Sequence, residues 1–304
     1  MAPDDAEEAA RDALTRRRNW GRWGSDDQRG AFNLITCDSI VRAARLVQTG
    51  VRVSLSRPFP TEEGSGNHDA VVHRTWKRSL EDGHGAGESG DAVTATWHSP
   101  LMTHLDALCH LWGDEGMWNG RDPEVEIDAG GSRWGGVEQW REGFVTRGVL
   151  LDVPRFRGER YVRQDRPVLG SELRQIAESS GCVPGPGDAV VVYSGLAAYE
   201  EENGPPKPDL RPGLHASCME AIRDWDVSLV VWDMQDLTPS GLDAAPWSVH
   251  GVLYAYGVGL VDAVVLEPLV EACDRQNRRE FLLLVLPLHI RGGTASAVNP
   301  VAVF

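Results

Sequence analysis

The chain has 304 residues, 41% of them hydrophobic and 25% charged, the composition of an ordinary globular protein long enough to bury roughly three quarters of its unfolded surface. A formal charge of −15 opposes phosphate backbones and anionic lipid surfaces, which need a positive footprint, so neither nucleic acid nor a membrane is an expected partner. Five cysteines without a C-x-x-C pair suggest neither a disulfide scaffold nor a cysteine zinc site and fit a reducing cytoplasm, and no apolar run has the length of a membrane span or a signal peptide.

Residues 1–18 are charged and alanine-rich and read as an arm, a frayed helix at most, ahead of one domain over 19–304. Asn19-Trp20-Gly21-Arg22-Trp23-Gly24 sets two tryptophans in a glycine loop; they suit an aromatic lid or subunit contact as well as a plug at the core edge. Asp38 or Ser39 can cap a helix whose apolar face is Ile40, Ala43, Ala44 and Val47, with Gly50 beyond its end. Val51 to Leu55 alternates as a strand does. Residues 59–92 then pass through Pro, Gly, His and acidic residues with little period, a long loop of the functional or mobile kind. Its histidines, His68, His73 and His84, read as surface residues.

Trp97 to His110 is the densest stretch of metal-holding groups in the chain, with His98, His104, Asp106 and His110. His104 and Asp106, two apart, share one face of a strand; Asp106 and His110, four apart, share one face of a helix. A strand-to-helix junction would point all three into one pocket. Imidazole nitrogen and carboxylate oxygen suit zinc, manganese and iron, and an aspartate can bridge two ions. Each histidine alone reads as a hydrogen-bonded structural residue; the set in this spacing reads as a hydrolytic metal centre, where a cation activates water and polarises a carbonyl. Cys109 beside His110 reads as small apolar filling rather than a nucleophile.

Trp112 and Trp118 follow, then Trp134 and Trp140, and eleven tryptophans in all argue for an aromatic-lined pocket taking a ring-bearing or acyl substrate. From Thr146 onward strands over 148–153, 188–193 and 229–233 alternate with helices over 171–178 and 215–225, and 281–288 reads as another apolar strand, so the core is α/β. No G-x-G-x-x-G follows a predicted strand, and neither G-x-x-x-x-G-K-[ST] nor G-x-S-x-G occurs, which removes the main support for dinucleotide, P-loop and serine-hydrolase readings. His250, with Val249, Leu253 and Tyr254 around it, reads by itself as a core histidine. The glycine-rich stretch from Pro287 to Pro300 can turn tightly or offer amides to an oxyanion, and the turn is the simpler use.

Thr103-His104-Leu105-Asp106-Ala107-Leu108-Cys109-His110 resembles the signature of the cyclase family of metal-dependent hydrolases, which includes bacterial kynurenine formamidase and isatin hydrolase. The family pattern is His-x-Gly-Thr-His-x-Asp-x-x-x-His, and this chain matches it from Thr103 onward. It departs upstream, where Pro100 stands in place of the first histidine; His98, six residues before His104, is the nearest substitute. Similar W-G-R-W-G openings occur in the longer branch of the family, so the likeness runs from about residue 19 to the end. It implies a swivelling β/β/α fold with a mixed sheet core, and assembly as a dimer or tetramer with pockets near subunit contacts. It implies one or two divalent ions, zinc or manganese, held by His104, Asp106, His250 and Asp262, with His98 filling the vacancy. His250 and Asp262 keep the family's twelve-residue interval, with Asp where most members have Glu and Glu267 as the fallback. His110 and His250 would carry protons, and Trp20, Trp23, Trp112 and Trp118 would meet the substrate. The expected reaction is opening of a cyclic amide or lactone, or cleavage of an N-acyl bond, in a small aromatic or apolar molecule. The rivals are a metal-free cyclase or dehydratase on the same fold and a catalytically silent binder.

Overall fold

The computed structural model describes residues 3–61, 71–80, 85–207 and 209–304. His68 and His84 lie outside that set, whereas His73 is exposed as expected. A nine-stranded sheet forms the centre, in the order β1 (Arg52–Ser54), β13 (Val301–Val303), β11 (Glu280–Val285), β7 (Phe144–Asp152), β8 (Ala189–Tyr193), β9 (Leu229–Trp232), β10 (Gly259–Asp262), β4 (His104–Asp106) and β12 (Ala295–Ala297). The middle four, β7 to β10, are parallel, and every other pairing is antiparallel. The expected mixed sheet is therefore present. β8 and β9 are near-continuous apolar runs because both of their faces are covered, as in parallel sheets generally. β11 alternates buried and half-buried residues and stops at Val285, since Leu286 and Leu288 turn out to solvent.

Helices cover the sheet. α5 (Gly170–Ser180) buries Leu173, Ile176 and Ala177 and ends at Gly181 in the left-handed region; α7 (Cys218–Asp224) buries Cys218, Met219, Ala221 and Ile222 and packs on α5. The predicted helix from residue 38 is α2 (Cys37–Ala44), capped two residues before Asp38 by Thr36, whose hydroxyl and Ser39 form a reciprocal capping box. α1 (Pro3–Leu14) lies on α8 (Val252–Tyr256), with Ala10, Ala13 and Leu14 in the main core. The short α3 (Pro123–Glu126), α4 (Val153–Arg157) and α6 (Leu196–Asn203), and the longer α9 (Glu267–Gln276), complete the set among the described residues. None is long and apolar enough to cross a membrane.

Two expectations are corrected here. The region 59–92 is not a plain loop: β2 (Val72–Ser79) and β3 (Gly87–Thr94) pair in a two-stranded ribbon. Its residues are exposed on both faces, so no apolar alternation marked it in the sequence. A second small ribbon joins β5 (Ile127–Asp128) to β6 (Gly131–Ser132). Likewise no helix follows Asp106. The amide of Ala107 donates to Thr294 and that of Cys109 to Gly135, while His110 closes a turn onto Ala107. The His110 amide, which a helix starting at Asp106 would pair with the Asp106 carbonyl, is thus spent on a single tight turn.

Candidate metal centre

Strand pairing builds the site. β4 lies between β10 and β12, with His104 opposite Asp262 on one side and Ala297 on the other, and Asp106 opposite Leu260 and Ala295. Asp262 ends β10 and Trp232 ends β9, at the carboxyl edge of the parallel strands, where open α/β sheets place their ligands. Four separate segments meet there.

Asp106 is the hub. It is 1% exposed, and neither of its oxygens has a hydrogen-bond partner. Around it stand His98 Nδ1 at 2.9 Å, His104 Nε2 at 3.4 Å and His110 Nε2 at 3.9 Å. His98 Nδ1 also lacks a hydrogen bond despite that distance, so it is aimed at the carboxylate's neighbourhood without the angle a hydrogen bond needs. His104 Nδ1 is 2.7 Å from the Met102 carbonyl, which can only accept, so Nδ1 carries a proton and Nε2 turns to Asp106. His98 Nε2 meets Thr294 Oγ1 at 3.0 Å, and the His98 and His110 rings stack with centroids 3.7 Å apart.

A buried carboxylate with no donor is costly unless a cation offsets it. The donor set fits such a cation. His98, Asp106 and His110 form one group, and His104, Asp106 and Asp262 another; in each group the candidate ligand atoms lie within 4.8 Å of one another, and Asp106 belongs to both. The bridging aspartate expected for two ions therefore has a geometric counterpart, and His98, the candidate substitute for the histidine missing at Pro100, lies in one of the two groups.

Charge reinforces this picture. Burial raises the cost of ionising Asp106, but His110 and His104 beside it hold its carboxyl well below the ordinary range. Burial also disfavours the charged form of His104, but Asp106, with Asp262 and the Met102 carbonyl, more than offsets it, pushing its pKa up to about 9. For His110 burial wins over Asp106, with His98 and His250 adding repulsion, and its pKa falls to about 4. His110 is thus a neutral imidazole at pH 7, a proton acceptor rather than a group poised at neutrality. Burial brings Cys109 up to about 12, consistent with an inert filler.

His250 stands beside these groups rather than among them. It lies in a short 3-10 turn over Ser248–Gly251 ahead of α8. Its Nε2 is 3.2 Å from Asp262 Oδ2 and its Nδ1 2.9 Å from Asp236 Oδ2. Asp262 also accepts from the Trp232 indole and from the Gln235 amide. Asp236 accepts in addition from Arg211 Nη2 at 3.0 Å. Glu267 is elsewhere, at the start of α9, facing the Ala197 amide. The predicted aromatic residues divide. Trp118 is fully buried and donates to the Asp27 carbonyl, Trp23 packs against it, and Trp20 donates to the Tyr254 carbonyl. Trp112 is 43% exposed, and its carbonyl accepts from Trp247, itself 47% exposed three residues before His250.

Residues 53–238 match the family model described as putative cyclase. This chain belongs to the cyclase family. The matched span holds the His98–His110 stretch and Asp236, while His250 and Asp262 follow it. Among solved structures, this cyclase-family chain is similar to one described as a novel cyclase, at 27% identity over 94% of this chain and 99% of that one, with a TM-score of 0.80. It is also similar in fold to isatin hydrolase A from Labrenzia aggregata bound to benzyl benzoate, at 16% identity over 87% and 97% of the two chains, TM-score 0.59. Isatin hydrolase A from Ralstonia solanacearum gives 18% identity over 88% and 97%, TM-score 0.58. No curated protein matches.

Sequence reasoning missed Trp232, Gln235, Asp236, Arg211 and Thr294. One signal for the first three was available: Trp232-Asp233-Met234-Gln235-Asp236 directly follows a buried parallel strand, and such strand ends carry sites. Nothing local marked Arg211 or Thr294.

Proposed function

We propose that this cyclase-family chain is a metal-dependent hydrolase that opens a cyclic amide or lactone, or cleaves an N-acyl bond, in a small aromatic or apolar substrate. The observation that carries the reading is the buried, unpartnered Asp106 with three imidazoles and Asp262 gathered on it. His98, His104, Asp106 and Asp262 would hold one or two divalent ions, zinc or manganese by ligand type. Such an ion supplies Lewis acidity, lowering the pKa of water and polarising a carbonyl. His110, neutral and within reach of the same carboxylate, accepts the proton released from water and passes it to the leaving group. Its stacking on His98 is tolerable because a neutral ring does not repel its neighbour. His250, between two carboxylates, braces Asp262. Trp112 and Trp247 offer the exposed aromatic surface nearest to this machinery in sequence, which supports a ring-bearing substrate. We further propose that copies of the chain associate: the ribbon exposes Trp76, Val72 and Val93 and bears Arg74, Lys77 and Arg78 in a chain of formal charge −15, and a lone hairpin is marginally stable in water.

The test is elemental analysis of protein purified without chelator, followed by hydrolysis of a panel of cyclic amides, lactones and N-acyl aromatics with and without chelation. Bound divalent metal and chelator-sensitive turnover are expected. Turnover untouched by chelation in metal-free protein would replace this reading with the metal-free cyclase or dehydratase, with His110 and His250 as base and acid. Metal-free protein without turnover would leave a small-molecule binder.

A further inference from the structure

We infer that Asp236, anchored by Arg211, is a positioning residue that clamps His250 so that its Nε2 faces Asp262 and the metal centre. This rests on the metal reading above and deepens it.

Both ring nitrogens of His250 face a carboxylate. A half-turn of an imidazole about its Cβ–Cγ bond puts a ring carbon where each nitrogen stood, and a hydrogen bond to the second nitrogen opposes it. Here that bond is Nδ1 to Asp236 Oδ2 at 2.9 Å. The same oxygen accepts the backbone N–H of His250 at 3.2 Å, which ties the carboxylate to the residue it orients as well as to its ring. The other oxygen accepts Arg211 Nη2 at 3.0 Å, and Arg211 Nε reaches the Asp236 carbonyl at 3.3 Å. Arg211 is itself fixed by a two-way backbone bridge to Thr238, with both N–H to O distances 2.9 Å. Asp236 is 3% exposed. Three donors from two distant segments thus hold one buried carboxylate in a single pose.

The bland alternative is that Asp236 merely caps the turn at Ser248–Gly251. A cap accounts for the backbone bond. It accounts for neither the bond to the ring nor the guanidinium on the far oxygen. Outer partners of this kind fix ring orientation in metal sites, and their loss costs about 10–100-fold in metal affinity or activity.

The experiment is zinc titration into ion-free protein with a competing chromophoric chelator, on wild type, Asp236→Asn, His250→Ala and the double variant, with cobalt absorption spectra as a second readout. Asparagine keeps the volume and an acceptor for the cap. Asp236→Asn is expected to weaken zinc binding about 10–100-fold, to shift the cobalt spectrum, and to add nothing in the His250→Ala background, because the two residues act as one unit. Zinc affinity and cobalt spectrum unchanged in Asp236→Asn would overturn the inference and leave a cap. So would a loss that adds in full to that of His250→Ala. Should Asp236→Asn melt well below wild type, Arg211→Gln takes its place in the same cycle, with a several-fold loss expected and the same non-additivity. Wild-type protein that binds no zinc would instead sink the metal reading itself, so the two failures are distinct.

Discussion

The two halves of the site are built on opposite principles. On the side of the His98–His110 stretch, the Asp106 oxygens and His98 Nδ1 are buried and unpartnered. On the side of His250, both ring nitrogens and both carboxylates beside them are hydrogen-bonded. One half is polar matter lacking a counterpart, the other a finished network. Withheld hydrogen bonds leave Asp106 able to take a cation, whereas Asp262, whose oxygens already accept from Trp232, Gln235 and His250, is held in one orientation.

This contrast can be broken most severely at its hub. Asp106→Asn keeps the shape and removes the charge, and should reduce divalent metal affinity by more than the roughly 100-fold that follows loss of an outer partner. Retention of a full metal load by elemental analysis would show that the open half is not the ion site.

Next in size is His110→Ala. If His110 carries protons rather than holding the ion, turnover should drop about 100-fold or more with the metal content preserved. Loss of metal together with turnover would move His110 into the ligand set beside His98.

The ion-free protein offers a third handle. His104 is raised from 6.5 to about 9 in the folded state, so its contribution is complete below pH 6.5 and is lost as pH climbs through 9. His250 is raised as well and acts in the same direction. Denaturant melts should therefore show stability falling between pH 6.5 and 9, by on the order of 3 kcal/mol for His104. Saturating zinc should remove that slope, because the ion takes the place of the proton. A flat profile without metal would contradict the open half's electrostatics.

The smallest effect belongs to the exposed ribbon. Trp76→Ser should leave the melting temperature nearly unchanged, as exposed substitutions do within about 0.5 kcal/mol, yet lower the molar mass measured by light scattering. Unchanged mass would remove the ribbon as the contact between copies.

Much of this was readable in the chain. The apolar runs at 148–153, 188–193 and 229–233, alternating with helical segments, determined buried strands of an α/β core, because strands covered on both faces carry such runs. The His104-x-Asp106 spacing on a strand determined that two candidate ligands share a face, whereas His250 and Asp262 stood out only through the family resemblance and its twelve-residue interval. The ribbon was not readable, since strands exposed on both faces carry no alternation.

What the sequence determined by itself is therefore whatever a local period or spacing records: the strands, the helix faces and the groups on them. Tertiary structure alone decided that the turn after Asp106 would give its amides to Thr294 and Gly135 instead of a helix, that His98 would stand beside Asp106, and that Arg211 and Asp236 would close on His250. Those pairings join residues far apart in the chain, and their energies arise only once folding has brought the donors together and expelled the water between them.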